Sequence, residues 1–152
     1  MGRPNQIRRA LLDASALIGV IEGEPDFVCL KSLLAAIDRG EVTLVESTAI
    51  LAEVVPQYVT SNRSQLARTA VRALLESPTT QLVDVSTAVA RKAGELRVAH
   101  GLKTWDAVHL ATAVLADVDV LIVRDHKFPE GHYEGVYVTG PFDLDDDKLP
   151  LR

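Results

Sequence analysis

What most constrains this chain is an alternation. Five short apolar runs, "RALLD" (9–13), "VTLVE" (42–46), "QLVDV" (81–85), "VDVLIV" (118–123) and "GVYVT" (135–139), are separated by stretches long enough for helices. Runs this short, rich in branched residues and bounded by polar ones, read as strands. Helical periodicity is read over 15–22, 25–38, 48–60, 63–76, 86–100 and 105–116. Ser47, Ser86 and Thr104 are candidate N-caps, and Gly40 and Gly101 fit helix ends. Strands joined through helices require right-handed crossovers, so an α/β fold with a mainly parallel sheet is predicted.

A chain of 152 residues can bury one full core, so a single domain over 1–152 is expected, with 1–6 and 143–152 as flexible or partner-contacting ends. With 16 basic residues against 21 acidic ones, the net charge of −5 argues against a broad basic face for nucleic acid. It leaves open an enzyme that meets phosphates through bound cations, which reverse the local sign. Cys29 is the one cysteine, which excludes an internal disulfide and a thiolate metal cage; its apolar neighbours suggest a small core residue. There is no leader-like apolar region and no run approaching the roughly 18 apolar residues of a membrane span, so a cytoplasmic protein is expected. The tail acids Asp143, Asp145, Asp146 and Asp147 lack EF-hand spacing and read as a solvated tail.

Four other acids do not read as surface. Asp13 ends the first strand, and Asp125 follows the strand 118–123 with only Arg124 between. The carboxyl edge of an open α/β sheet is where ligands bind, although a turn or capping aspartate explains either residue alone. Asp106 stands in the first turn of an apolar helix, where the helix dipole alone would favour it. Glu53 is the one charge between Glu46 and Arg63, amid Ile50, Leu51, Ala52, Val54 and Val55. Converging carboxylates repel and raise one another's pKa unless a cation joins them. Magnesium, with oxygen ligands and retained waters, suits such a set; the four histidines lack zinc spacing.

The blocks "LLDASALI", "ESTAILAEVV", "HGLKTWDAVHLATAV" and "LIVRDHKF" together resemble, in order and spacing, the four acidic blocks of the PIN domain. The nearest resemblance is to VapC-type toxin ribonucleases, over roughly residues 8–140. It implies a three-layer α/β/α sandwich and a metal-dependent endoribonuclease using Mg2+, with Mn2+ as a substitute. Asp13, Glu53, Asp106 and Asp125 would be its catalytic and metal-binding acids, Asp13 and Asp106 most directly. Ser15 matches the small hydroxyl residue two positions after the first acid, a contact to phosphate or metal-bound water if it is not simply the cap of the next helix. The family's mechanism leaves a 5′-phosphate and a 3′-hydroxyl, with ions lowering the pKa of attacking water.

Arg124 and Lys127 flank Asp125 as candidate phosphate contacts. His109 lies one helical turn from Asp106 and faces the same side, as a substrate contact or tucked beside the core. Trp105 is a candidate to stack a base, or else is packed or partner-facing. Two departures stand out: Val123 replaces a frequent hydroxyl two residues before the last acid, and Ile50 replaces another before the second. Val123 keeps open a PIN-like scaffold that binds RNA or protein without cutting. A receiver-like phosphate acceptor lacks its usual lysine and paired acids. An aspartyl phosphatase lacks its second aspartate, since Ser15 holds that place. The resemblance further implies a small cognate antitoxin, a homodimer and an RNA substrate.

Overall fold

The computed structural model describes residues 2–54, 62–124 and 128–147, without the side chains of 62–64, 146 and 147. Six strands form one sheet: β1 (Arg9–Leu12), β2 (Thr43–Ser47), β3 (Gln81–Val83), β4 (Val120–Ile122), β5 (Gly131–Tyr133) and β6 (Val136–Thr139). Their order is β3-β2-β1-β4-β6-β5, with every pairing parallel except β5 with β6. The α-helices are α1 (Ala14–Glu22), α2 (Lys31–Asp38), α3 (Ile50–Glu53), α4 (Asn62–Leu75), α5 (Thr87–His100) and α6 (Thr104–Leu115).

Strand alternation divides the core. Ala10, Leu12, Leu44, Val120 and Ile122 face one way, toward residues of α1, α2, α3 and α4. Leu11, Val45, Leu121, Val138 and Val136 face the other way, toward α5 and α6. Successive residues of a strand point to opposite faces, so strands apolar at every position need a helical layer on each side. The result is the three-layer α/β/α sandwich with a mainly parallel sheet. Among the described residues, no helix is long and apolar enough to cross a membrane.

Several local expectations change. Ser86 does cap α5, accepting from the Val89 N–H, and Gly101 closes that helix in the left-handed conformation (φ 64°). Thr104 is not a cap: Lys103 precedes α6 in extended conformation and Thr104 lies within the first turn. Ser47 ends β2 instead, its Oγ accepting from the Ala49 N–H in the turn before α3. The segment 25–38 begins with a short 3-10 turn (Val28–Leu30) before α2. The helix expected over 48–60 contains α3 at 50–53, and its later part, 55–60, lies outside the described residues. Strand β5 is additional to the five strands read from sequence: "GHY" has no apolar alternation and is extended by pairing with β6.

Of the chain ends, Arg3 lies over the Phe142 ring, 3.9 Å from its centre, and Phe142 and Leu144 pack on the core. The acidic segment forms a 3-10 turn, with Asp143 accepting from the Asp145 N–H.

Candidate acidic active-site cleft

β1 is central, and the chain runs from it to β2 on one side and later to β4 on the other. Strand order therefore reverses between β1 and β4, which opens a crevice beyond their carboxyl ends. Asp13 stands there. Its own N–H donates to Ile122 O of β4 (2.9 Å), tying the end of β1 to its neighbour. Its Oδ1 accepts from the Ala16 N–H (2.7 Å), capping α1, and its Oδ2 accepts from the Arg124 N–H (3.2 Å). Asp13 is thus a cap and a cleft residue at once. Burial pushes its carboxyl above the usual aspartate range, opposed by these two N–H groups and by His109 while Asp106 pushes the same way as burial.

Asp13, Ser15, Glu53, Asp106, His109 and Arg124 line one cleft of about 720 Å³, together with Asp26, Phe27, Lys103 and Trp105. Asp106 comes from the first turn of α6, whose amino end favours negative charge. Glu53, the last residue of α3, is held by His109: the buried imidazole Nε2 donates to Glu53 Oε1 at 2.6 Å. His109 therefore orients an acid, a role between the two considered from sequence. Its Nδ1 is buried with no hydrogen-bond partner.

Phe27 reaches the cleft because Gly19 lets it. A Cβ at Gly19 would stand 2.7 Å from Phe27 Cδ2, a distance that forces one of them to move.

Of the seven residues picked from sequence, the structure brings five to this cleft: Asp13, Ser15, Glu53, Asp106 and Arg124. Asp125 and Lys127 lie outside the described residues. Ser15 is exposed in the first turn of α1 and is not its cap, since Asp13 takes that role. The Arg124 guanidinium pairs with Glu24 Oε2 at 2.8 Å and lies 5.1 Å from the Phe27 ring centre. Trp105 is 55% exposed, not packed in the core.

Sequence reasoning missed Glu46. It ends "VTLVE" as Asp13 ends "RALLD", and a charge in a strand covered on both faces has to be buried. Glu46 is 0% exposed, with Oε1 accepting from the Leu12 N–H (3.1 Å) and Oε2 without any partner. Burial raises its carboxyl well above the usual range, against the pull of the Leu12 N–H, and the charges of Asp13 and Glu53 raise it further.

The donor set suits a hard divalent cation. It is built of carboxylate oxygens, and it crowds negative charge, the Asp106 charge adding to burial in raising the Asp13 carboxyl. Among the described residues, no three His, Cys, Asp or Glu stand close enough to enclose an ion. Magnesium needs only one or two direct carboxylates and keeps its waters, a demand that Asp13 and Asp106 can meet.

Fold and cleft together define an α/β sandwich with an acidic site at its strand switch. The family model of the PIN domain matches residues 10–131. The chain belongs to the PIN domain family. It is similar in structure to a chain of a toxin–antitoxin complex from Klebsiella pneumoniae, at 25% identity and a TM-score of 0.62, over 88% of this chain and 98% of that one. VapBC2 from Rickettsia felis, bound to a promoter DNA fragment, aligns at 17% identity and a TM-score of 0.59, over 87% and 98% of the chains. DNA-bound VapBC from Salmonella typhimurium aligns at 16% identity and a TM-score of 0.61, over 88% and 98%. At those identities the last two bear on fold alone. No curated protein matches the chain significantly.

Proposed function

We propose that this protein is a metal-dependent endoribonuclease of the VapC type, the toxin of a toxin–antitoxin pair. The observation that carries the reading is the convergence of Asp13, Glu53 and Asp106 on one cleft at the β1/β4 switch point. Family membership and the likeness to a toxin–antitoxin complex support it. In this reading Asp13 and Asp106 hold Mg2+ or Mn2+ most directly, with Glu53 and Asp125 completing the set. The bound ions supply an activated water and stabilise the charge that builds on the phosphate.

The protein's own part is positioning. Two backbone N–H groups fix the Asp13 carboxylate before substrate arrives. His109 fixes Glu53. Ser15, Arg124 and Lys127 contact the substrate phosphates, and the exposed Trp105 ring offers a base a stacking surface. The RNA is the substrate, a small antitoxin covers the cleft, and the toxin works in the cytoplasm as a homodimer.

One observation favours a second reading, an RNA- or protein-binding scaffold that does not cut. Val123, where many relatives carry a hydroxyl, is buried in the apolar cluster under α5 and α6 and is not among the residues that line the cleft. The deciding experiment incubates purified protein with a mixed RNA pool under Mg2+, Mn2+ or chelator, beside Asp106→Asn. Metal-dependent cleavage lost in the variant supports the nuclease. Metal binding without cleavage on any RNA favours the scaffold, and absence of metal binding sinks the nuclease reading.

A further inference from the structure

The proposed chemistry makes no use of Glu46, although it is close enough to Asp13 and Glu53 for their charges to raise its carboxyl. β1 and β2 pair in parallel at Arg9↔Thr43 and Ala10↔Leu44. Two residues further along β1, the Leu12 N–H is taken by the Glu46 side chain instead. The next N–H, that of Asp13, goes the other way, to Ile122 of β4. The end of β1 is thus pinned from both sides, by a backbone carbonyl on one and a buried carboxyl on the other. The Asp13 carboxylate projects from this pinned point.

We propose that Glu46 is a positioning residue for Asp13: wedged between the ends of β1 and β2, its carboxyl holds the backbone N–H that precedes Asp13 and so sets where that carboxylate stands in the cleft. The inference rests on the metal-dependent reading given above.

Burial chemistry decides the form in which Glu46 acts. An ionised carboxylate buried at 0% exposure with one N–H donor, near Asp13 and Glu53, is among the costliest groups a core can hold. A neutral acid accepts the same N–H without that cost. Glutamine has the same shape and the same acceptor, so it should replace Glu46. Leucine fills the space but offers the Leu12 N–H nothing.

The test uses the full chain as Glu46→Gln and Glu46→Leu beside the natural protein. Hydrogen exchange of the Leu12 amide reads the contact itself, and calorimetric titration with Mn2+ reads the cleft. Circular dichroism checks that each variant is folded, and the glutamine variant keeps the test valid should leucine disturb the sheet. Expected is a Leu12 amide protected in the natural protein and in Glu46→Gln but exchanging faster in Glu46→Leu. Mn2+ affinity should fall roughly 10- to 100-fold in Glu46→Leu, as when a partner of a metal ligand is removed, and be kept in Glu46→Gln.

Unchanged Mn2+ affinity in Glu46→Leu would overturn the proposal, since the contact would then be structural alone. Equal loss in both variants would overturn it too, because the charge and not the hydrogen bond would matter. A natural protein that binds no Mn2+ would sink the metal reading and this inference together, a result distinct from either.

Discussion

Two aspartates at opposite edges of the same two strands do the same local job and have different consequences. At the amino edge, Asp119 accepts the N–H groups of Arg8 (2.8 Å) and Arg9 (2.9 Å) on one oxygen, joining the start of β1 to the segment leading into β4. At the carboxyl edge, Asp13 accepts the Ala16 and Arg124 N–H groups on separate oxygens, joining the other end of the pair. Each carboxylate satisfies two backbone donors. What differs is the company: Asp119 has no place in the lining of the acidic cleft, whereas Asp13 shares that cleft with Asp106, and burial there raises its carboxyl. A carboxylate bonded to backbone is structural or functional according to its other neighbours.

The largest effect is expected at Asp13. Asp13→Asn should lower RNA cleavage by roughly 10²–10³-fold or more, the scale of losing one electrostatic stabiliser of the transition state. Its circular dichroism should stay native. Cleavage retained by a folded Asp13→Asn protein would remove Asp13 from the chemistry.

The next largest effect is expected at His109. Alanine there frees Glu53 from its 2.6 Å hydrogen bond. Mn2+ affinity and cleavage should drop by about 10- to 100-fold, as for other groups that orient a metal ligand. Wild-type affinity in His109→Ala would show that Glu53 needs no such support.

Asp119→Ala is the contrasting case. It leaves the Arg8 and Arg9 N–H groups without their acceptor and should cost about 1–3 kcal/mol of stability in a denaturant titration. Cleavage per folded molecule should not change. A loss of turnover without a loss of stability would put a functional role at the amino edge.

The smallest effect is a slope against pH. Asp13 and Glu46 both hold a proton more tightly folded than unfolded. Each therefore contributes stability that is complete below the ordinary carboxylate pKa of about 4 and is lost as pH rises through the raised folded value. Melting temperatures of the metal-free protein should fall as pH rises through that window. Asp13→Asn and Glu46→Gln should each flatten the fall; a slope equal to the natural protein's in both would refute the assignment.

Much of this molecule was legible along the chain. The runs around Leu11, Val45 and Leu121 marked β1, β2 and β4, because strands buried on both faces are apolar at consecutive positions. Asp13 and Asp106 were visible as acids at the end of a strand and the start of a helix. Glu53 was visible as a charge without polar company. Glu46 escaped because it closed a strand as a boundary residue would, and its burial depends on β1 and β3 lying on either side of it. β5 escaped because its only reason to be extended is β6.

The sequence alone therefore determined whatever is periodic or local: the order of elements, the two apolar faces of the sheet, and the edge at which acids collect. Tertiary structure alone decided which groups meet. The pairing of His109 with Glu53, of Arg124 with Glu24 and of Glu46 with the Leu12 N–H spans 56, 100 and 34 residues of chain. Such contacts depend on strand register and helix placement, which are set by the packing of the whole sheet and leave no mark in the residues on either side.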